Sequence, residues 1–411
     1  MRVLLINACH YRRGGSEMVY FNTAQLLKAH GHSVTFFSTN DTRNEKSEFD
    51  KYFISNGNFR EFSLLKKIER APSYLFNVEA SKNLEKLIID YKPDIAHVHI
   101  FYGALSVSIL RTLKKHRIPI VHTVHDYRLL CPVNTLIDKD GNLCERCKDK
   151  HYFHCLQKKC SDGKTSQSAM VMLEAYYWKY FMNPIKYIDH FIFVSNFSKN
   201  KHLEFSRNFK ERNTQVYNFT NYSSHNEIAQ KGDYFLYFGR LSVEKGIETL
   251  LKVFSRKREL KLKIAGTGPL KAFVEKCSSI NSNIEYEGFK SGKELESLIK
   301  NSSFVIIPSE CYENNPLALV EAYNFGKPII GAEIAGIPEL VNHAKNGFLF
   351  KSGNDDSLEY MVDVSSKING DEYASFSKSV KEFANENFSS ENHYLKLLKV
   401  YTDAIEKEYT K

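Results

Sequence analysis

Two stretches of the chain set charged side chains beside turn residues in a way that can grip an oxygen-rich anion. In residues 309–341 (SECYENNPLALVEAYNFGKPIIGAEIAGIPELV), Glu313 stands just past an apolar run at 304–308 and is followed by Asn314, Asn315, Pro316 and Leu317. Proline suits the first position of a helix, because the N–H it lacks has no helical partner there. The amides around residues 314–317 then form a helix N-terminus, a natural seat for phosphate or sugar oxygens. Glu321 follows eight residues after Glu313 and can face the same place from deeper in the helix. A helical glutamate is equally at home in solvent, where the helix dipole favours it near the N-terminus.

The second stretch is residues 237–246, YFGRLSVEKG, where a strand meets a helix. Arg240 offers a planar fork and Lys245 a point charge, together a clamp for the two phosphates of a nucleotide leaving group. Such cations stabilise charge that develops as a sugar–phosphate bond breaks. The alternative is a pair of ordinary surface cations. Gly14 and Gly15, after the first apolar run, bring backbone N–H groups close to a diphosphate with no side chain in the way. They form neither the dinucleotide fingerprint nor the Walker pattern. His125, followed by Asp126, ends another strand and has two readings, a hydrogen bond to a sugar hydroxyl or a purely structural one.

These residues need a scaffold that brings strand ends together. Apolar runs at 3–8, 32–38, 94–100, 119–125 and 190–194 alternate with helical sequence, and Ser16 is placed to cap the first helix. Continuous apolar strands separated by helices indicate a parallel sheet covered on both faces. The alternation restarts at Gly232, with strands at 234–238, 260–265, 284–287, 304–308 and 328–331. The expected fold class is therefore α/β, two Rossmann-like doubly wound domains facing a central cleft. The first spans 1–215 with a Cys-rich insert at 131–160, a linker covers 216–231, and the second spans 232–390. Ligands in such sheets bind beyond the carboxyl ends of the strands.

The ordered set Gly14-Gly15, His125-Asp126, Gly239-Arg240-Leu241 with Glu244-Lys245-Gly246, Gly266-Thr267-Gly268, Glu313 to Glu321, Gly326-Lys327-Pro328 and Gly336-Ile337-Pro338-Glu339-Leu340 resembles the GT-B glycosyltransferases of family 4. The resemblance spans both domains. It implies that Arg240 and Lys245 bind the diphosphate of a nucleotide sugar, a UDP or GDP sugar, that Gly15 approaches it from the acceptor-side first domain, and that Glu321 holds the ribose. Glu313 and the amides from Asn314 to Leu317 would hold the transferred sugar, with His125 on its far side. It further implies retention of anomeric configuration, no catalytic metal, and a C-terminal helix at 391–411 that crosses back to the first domain. The chain departs from the usual family pattern at Asn314-Asn315, where a small residue and an aromatic often precede the proline, so the donor sugar stays unassigned.

Five of the eight cysteines fall between Cys131 and Cys160, and Cys144, Cys147, Cys155 and Cys160 could close a tetrahedral structural zinc site. Reduced free thiols are the alternative. The insert is also basic, with Arg146, Lys148, Lys150, Lys158, Lys159 and Lys164, so it can shape the acceptor side, meet anionic lipid headgroups or simply be solvated.

Of the net charge of +9, residues 1–215 carry 33 Lys and Arg against 21 Asp and Glu, which points to an anionic partner for that half or to scattered solubilising lysines. An apolar fraction of 42% and a charged fraction of 26% exclude collagen, coiled coil and wholesale disorder. No apolar run approaches a membrane span, so the expected location is the cytoplasm, with a peripheral place at the inner face of the membrane. The reading is a transferase that moves sugar from a sugar nucleotide to a glycan or polyprenyl-diphosphate-linked acceptor, in surface polysaccharide or glycolipid synthesis. A sugar-nucleotide epimerase of similar fold is the alternative enzyme. A zinc-stabilised nucleic-acid-binding module is the alternative from another class; it leaves the second domain without a role, and no nucleic-acid partner is expected.

Overall fold

Each of these runs becomes a parallel strand in the computed structural model, which describes residues 1–55, 64–220 and 228–410. In the first unit β1 (Arg2–Ile6), β2 (Ser33–Phe37), β3 (Ile95–Val98), β4 (Ile120–Val124), β5 (His190–Phe193) and β6 (Asn213–Gln215) pair in the order β2-β1-β3-β4-β5-β6. In the second, β7 (Tyr234–Arg240), β8 (Lys261–Thr267), β9 (Ile284–Gly288), β10 (Val305–Ile307), β11 (Ile329–Ala332) and β12 (Gly347–Phe350) pair in the order β12-β11-β10-β7-β8-β9. Every pairing is parallel. Val3, Leu4, Leu5 and Ile6 in one sheet and Leu236, Ile264, Val305 and Ile330 in the other are sealed from solvent, as strands covered on both faces require.

The strand orders reverse between β1 and β3 in one sheet and between β7 and β10 in the other, and a doubly wound sheet opens a crevice at each such point. The loops after β1 and β3, and those after β7 and β10, border these crevices. Gly14 ends the first of these loops and Gly15 opens the helix that follows it, while Lys245 and Glu313 lie on the second set.

The two units comprise Met1–Val216 with His393–Lys411, and Tyr217–Asn392. Within the first unit the C-terminal helix is tied down by Tyr394, stacked on His30 at 3.6 Å between ring centroids, and by Glu408, paired with Lys114 at 3.0 Å. Of the segment read as a linker, residues 221–227 lie outside the described residues, while Phe219 is fully buried and the Asn218 N–H donates to Asn315 Oδ1 at 2.6 Å.

Local details differ from the sequence reading in three places. The first helix, Gly15–Ala29, begins at Gly14, whose extended φ of −165° fills the cap position, so Ser16 is inside the helix rather than capping it. Pro316, with ψ of 124°, caps helix Leu317–Asn324 instead of occupying its first turn. Strands β6 and β12 are additional: β6, after helix Asn196–Phe205, is a short polar edge strand without an apolar run, and β12 follows only a single 3-10 turn at Ile337–Glu339.

Candidate active site

The loop after β7 is fastened to the loop after β10 at several points. Gly246 holds a left-handed φ of 69°, and a Cβ there would stand 1.8 Å from the Pro308 carbonyl oxygen, so only glycine lets the two backbones meet. The Glu310 N–H donates to the Glu244 carbonyl at 2.9 Å, and the Thr249 hydroxyl donates to Glu310 Oε1 at 2.6 Å. Across this junction the Lys245 ammonium is paired with the Glu313 carboxylate, which also accepts from the Ser309 hydroxyl at 2.8 Å. Burial draws the Lys245 pKa down, but Glu313 outweighs it and holds the ammonium above its usual range. Arg240, at the end of β7, is exposed and carries no ion pair among the described residues.

Glu313 is held from behind as well. Its carbonyl accepts from the Gly336 N–H at 2.8 Å, and a Cβ on Gly336 would meet the Asn314 oxygen at 1.9 Å. Asn314 and Asn315 are both buried; Asn315 turns its side chain and carbonyl to Asn218, while Pro316 and Leu317 are half-buried and lead into the helix. One turn on, burial alone raises the Glu321 carboxyl to about 7. Lys245, Glu313 and the start of helix Leu317–Asn324 are thus brought together, with Arg240 on the same loop as Lys245. Lys327 does structural work: buried, and drawn down to about 8 by that burial, it donates to the Gln230 and Ser302 carbonyls at 2.7 and 2.8 Å.

In the first unit His125 follows β4 directly. Its Nε2 lies 2.8 Å from His99 Nδ1, so it makes a structural hydrogen bond, and burial, then His122, lowers its pKa to about 3. His97 bridges the hydroxyls of Tyr401 and Thr123, each at 2.7 Å. Half-buried Asp126 accepts from Tyr102 and from Asn134. At Gly14, a Cβ would meet only Glu17 Oε2, at an ordinary 3.5 Å, so the fold itself does not demand glycine there. His99, Ser309 and Glu310 are participants missed in the sequence. The signal for His99 is the His-Val-His triplet, whose alternation puts His97 and His99 on one face of the strand.

Among the described residues no group of three or more His, Cys, Asp or Glu is disposed to hold a metal ion, and Cys144, Cys147, Cys155 and Cys160 are free thiols. Cys155 and Cys160 hydrogen-bond to each other instead, which pushes the Cys155 pKa up and holds Cys160 down, and burial raises Cys147.

Twin doubly wound sheets of this topology define the GT-B class of glycosyltransferases. Anabaena HepE, solved in complex with UDP and glucose, superposes with a TM-score of 0.63 at 16% identity, covering 98% of this chain and 99% of that one. The chain belongs to glycosyltransferase family 4: the model of "Glycosyltransferase Family 4" matches residues 13–223, and that of "Glycosyl transferases group 1" matches residues 218–382. Among relatives, an uncharacterized 42.6 kDa protein in the cps region of Klebsiella pneumoniae is 24% identical, covering 89% of this chain and 94% of that protein. The putative colanic acid biosynthesis glycosyltransferase WcaL of Escherichia coli is 26% identical over 37% of this chain and 40% of that protein.

Proposed function

We propose that this glycosyltransferase moves a sugar, with retention of anomeric configuration, from a nucleoside diphosphate sugar to a glycan or lipid-linked acceptor in polysaccharide synthesis. The observation that carries the reading is the Lys245–Glu313 pair, anchored across the β7 and β10 loops beside an exposed arginine. Arg240 and Lys245 take the two phosphates, and Gly14 and Gly15 let the first unit's backbone approach them. As the bond from the anomeric carbon to phosphate oxygen breaks, these cations stabilise the growing charge on the leaving diphosphate. The acceptor hydroxyl attacks from the same face and gives its proton to the departing oxygen.

Glu313 and the amides from Asn314 to Leu317 grip sugar hydroxyls, and the neutral His125 imidazole meets a further one. Glu321, lifted to about 7 by burial, gains the hydroxyl donors of a ribose, which favour its ionised form. The bound UDP in HepE and the colanic acid assignment of WcaL support a nucleotide-sugar donor and a polysaccharide product.

Incubation with UDP- and GDP-sugars and candidate acceptors, followed by NMR of the product, tests this. The expected result is nucleoside diphosphate release with an unchanged anomer. An inverted anomer contradicts retention, and conversion of donor to another sugar nucleotide without acceptor points to an epimerase.

A further inference from the structure

Helix Thr165–Tyr180 carries apolar residues on two faces. Its inner face buries Met170, Ala175 and Trp178 together with Gln167, Ser168 and Glu174. Its outer face carries Leu173, Tyr176, Tyr177 and Tyr180 at helical spacing. Here Tyr180 is 65% and the following Phe181 77% exposed. The stripe is continuous: Tyr176 stacks on Tyr180 with centroids 6.1 Å apart, Tyr177 on Phe181 at 5.7 Å, and the Phe153 N–H reaches the Tyr176 hydroxyl at 3.3 Å. Phe153 itself is exposed. An exposed apolar stripe of this kind marks an interaction surface.

Its surroundings are cationic. The Lys179 ammonium sits 5.0 Å from the Tyr180 ring centre and donates to the Lys150 carbonyl at 3.2 Å. Lys148, Lys150 and Lys179 line one groove with Tyr152 and Trp178. Residues 143–186 hold eight Lys and Arg against four Asp and Glu, and one of the four, Glu174, is buried against Arg128. Aromatic rings flanked by lysines match a bilayer interface, where rings settle at the headgroup level and ammonium groups meet lipid phosphates.

The geometry points to this stripe, Phe153, Leu173, Tyr176, Tyr180 and Phe181 with Lys150 and Lys179, as a docking face for an anionic lipid bilayer. The contact is peripheral, since no helix of the described residues is long and apolar enough to cross a membrane. It extends the lipid-linked-acceptor reading, but its test uses no sugar nucleotide, so vesicle binding and transfer can fail independently.

Flotation of the full chain with phosphatidylcholine vesicles, with and without phosphatidylglycerol, tests it at low and high salt. Binding is expected to the anionic vesicles and to weaken with salt. Lys150→Glu/Lys179→Glu lowers affinity for them by roughly fivefold per lysine. Tyr180→Ser/Phe181→Ser lowers binding at either salt, with an unchanged thermal melting midpoint. The inference is overturned if the wild type does not float with anionic vesicles or if the aromatic variant floats equally well. It is also overturned if the wild type is a dimer that the aromatic variant breaks, because the stripe then belongs to a second copy.

Discussion

His97, His99, His122 and His125, in and just beyond β3 and β4, are all shifted below the usual histidine pKa by burial. Past β7, Lys245 is held charged by its pairing with Glu313 from the loop after β10, while Arg240, the last residue of β7, is exposed. His99 and His125, like Lys245 and Glu313, stand just past the carboxyl ends of parallel strands, so topology does not separate them; dielectric and partners do. A neutral imidazole can exchange hydrogen bonds with a hydroxyl without competing for phosphate. A lysine already paired with a carboxylate is pre-placed where an anion will arrive. The contrast teaches that one strand-end architecture can carry neutral, buried side chains in one unit and paired or exposed charges in the other, which is the difference the proposed sugar and diphosphate roles require.

Removing the charge should have the largest effect. Lys245→Ala is expected to cut transfer by roughly 10²–10³-fold, the scale of losing one electrostatic contact to developing charge. Glu313→Gln should fall by a similar factor. Both are read from kcat/KM once a donor is known, and unchanged turnover in either would erase the distinction between the two units.

The neutral set is tested by acid. A histidine whose pKa is lowered in the folded state takes its proton more readily when unfolded, so stability is present above about 6.5 and is lost as pH falls below it towards the folded value. Each such imidazole contributes a slope of roughly 1.4 kcal/mol per pH unit in that window. Denaturant midpoints followed by the fluorescence of Trp178, the chain's single tryptophan and a residue of the first unit, should drop between pH 7 and 5. A flat profile would mean the histidines titrate freely.

Much of this was legible in the sequence because a buried parallel strand is a continuous apolar run and needs no context to recognise. The strand cores and the loops bearing Arg240, Lys245 and Glu313 follow from that alone. Pairing does not: Lys245 and Glu313 are far apart in sequence and meet only because β7 and β10 are neighbours in the sheet. For the same reason His99 as a partner of His125, and Asn218 as a partner of Asn315, were hidden. Spacing alone does not fix where thiols point either, and the hydrogen bond between Cys155 and Cys160 is visible only in the structure.

Smaller effects sharpen the contrast further. The Glu321 carboxyl is raised above its unfolded value, so its ionisation penalises the fold as pH rises from about 4.5 through about 7. Glu321→Gln should therefore add on the order of 1–3 kcal/mol of stability at pH 8 and little at pH 4, measured by denaturant titration. The same variant should weaken donor binding. Gly14→Ala should leave the melting midpoint unchanged, since a Cβ there makes only an ordinary contact, while raising the donor KM. A fall in stability instead would assign Gly14 a structural role.

The most direct measurement is calorimetric titration of UDP and GDP into the wild type, Arg240→Ala and Lys245→Ala, with His125→Ala as the contrasting variant. The diphosphate is expected to bind the wild type, to lose affinity in both second-unit variants, and to bind His125→Ala nearly as well as the wild type. Equal affinity across the second-unit variants, or a loss confined to His125→Ala, would contradict the assignment of the diphosphate to the loops after β7 and β10.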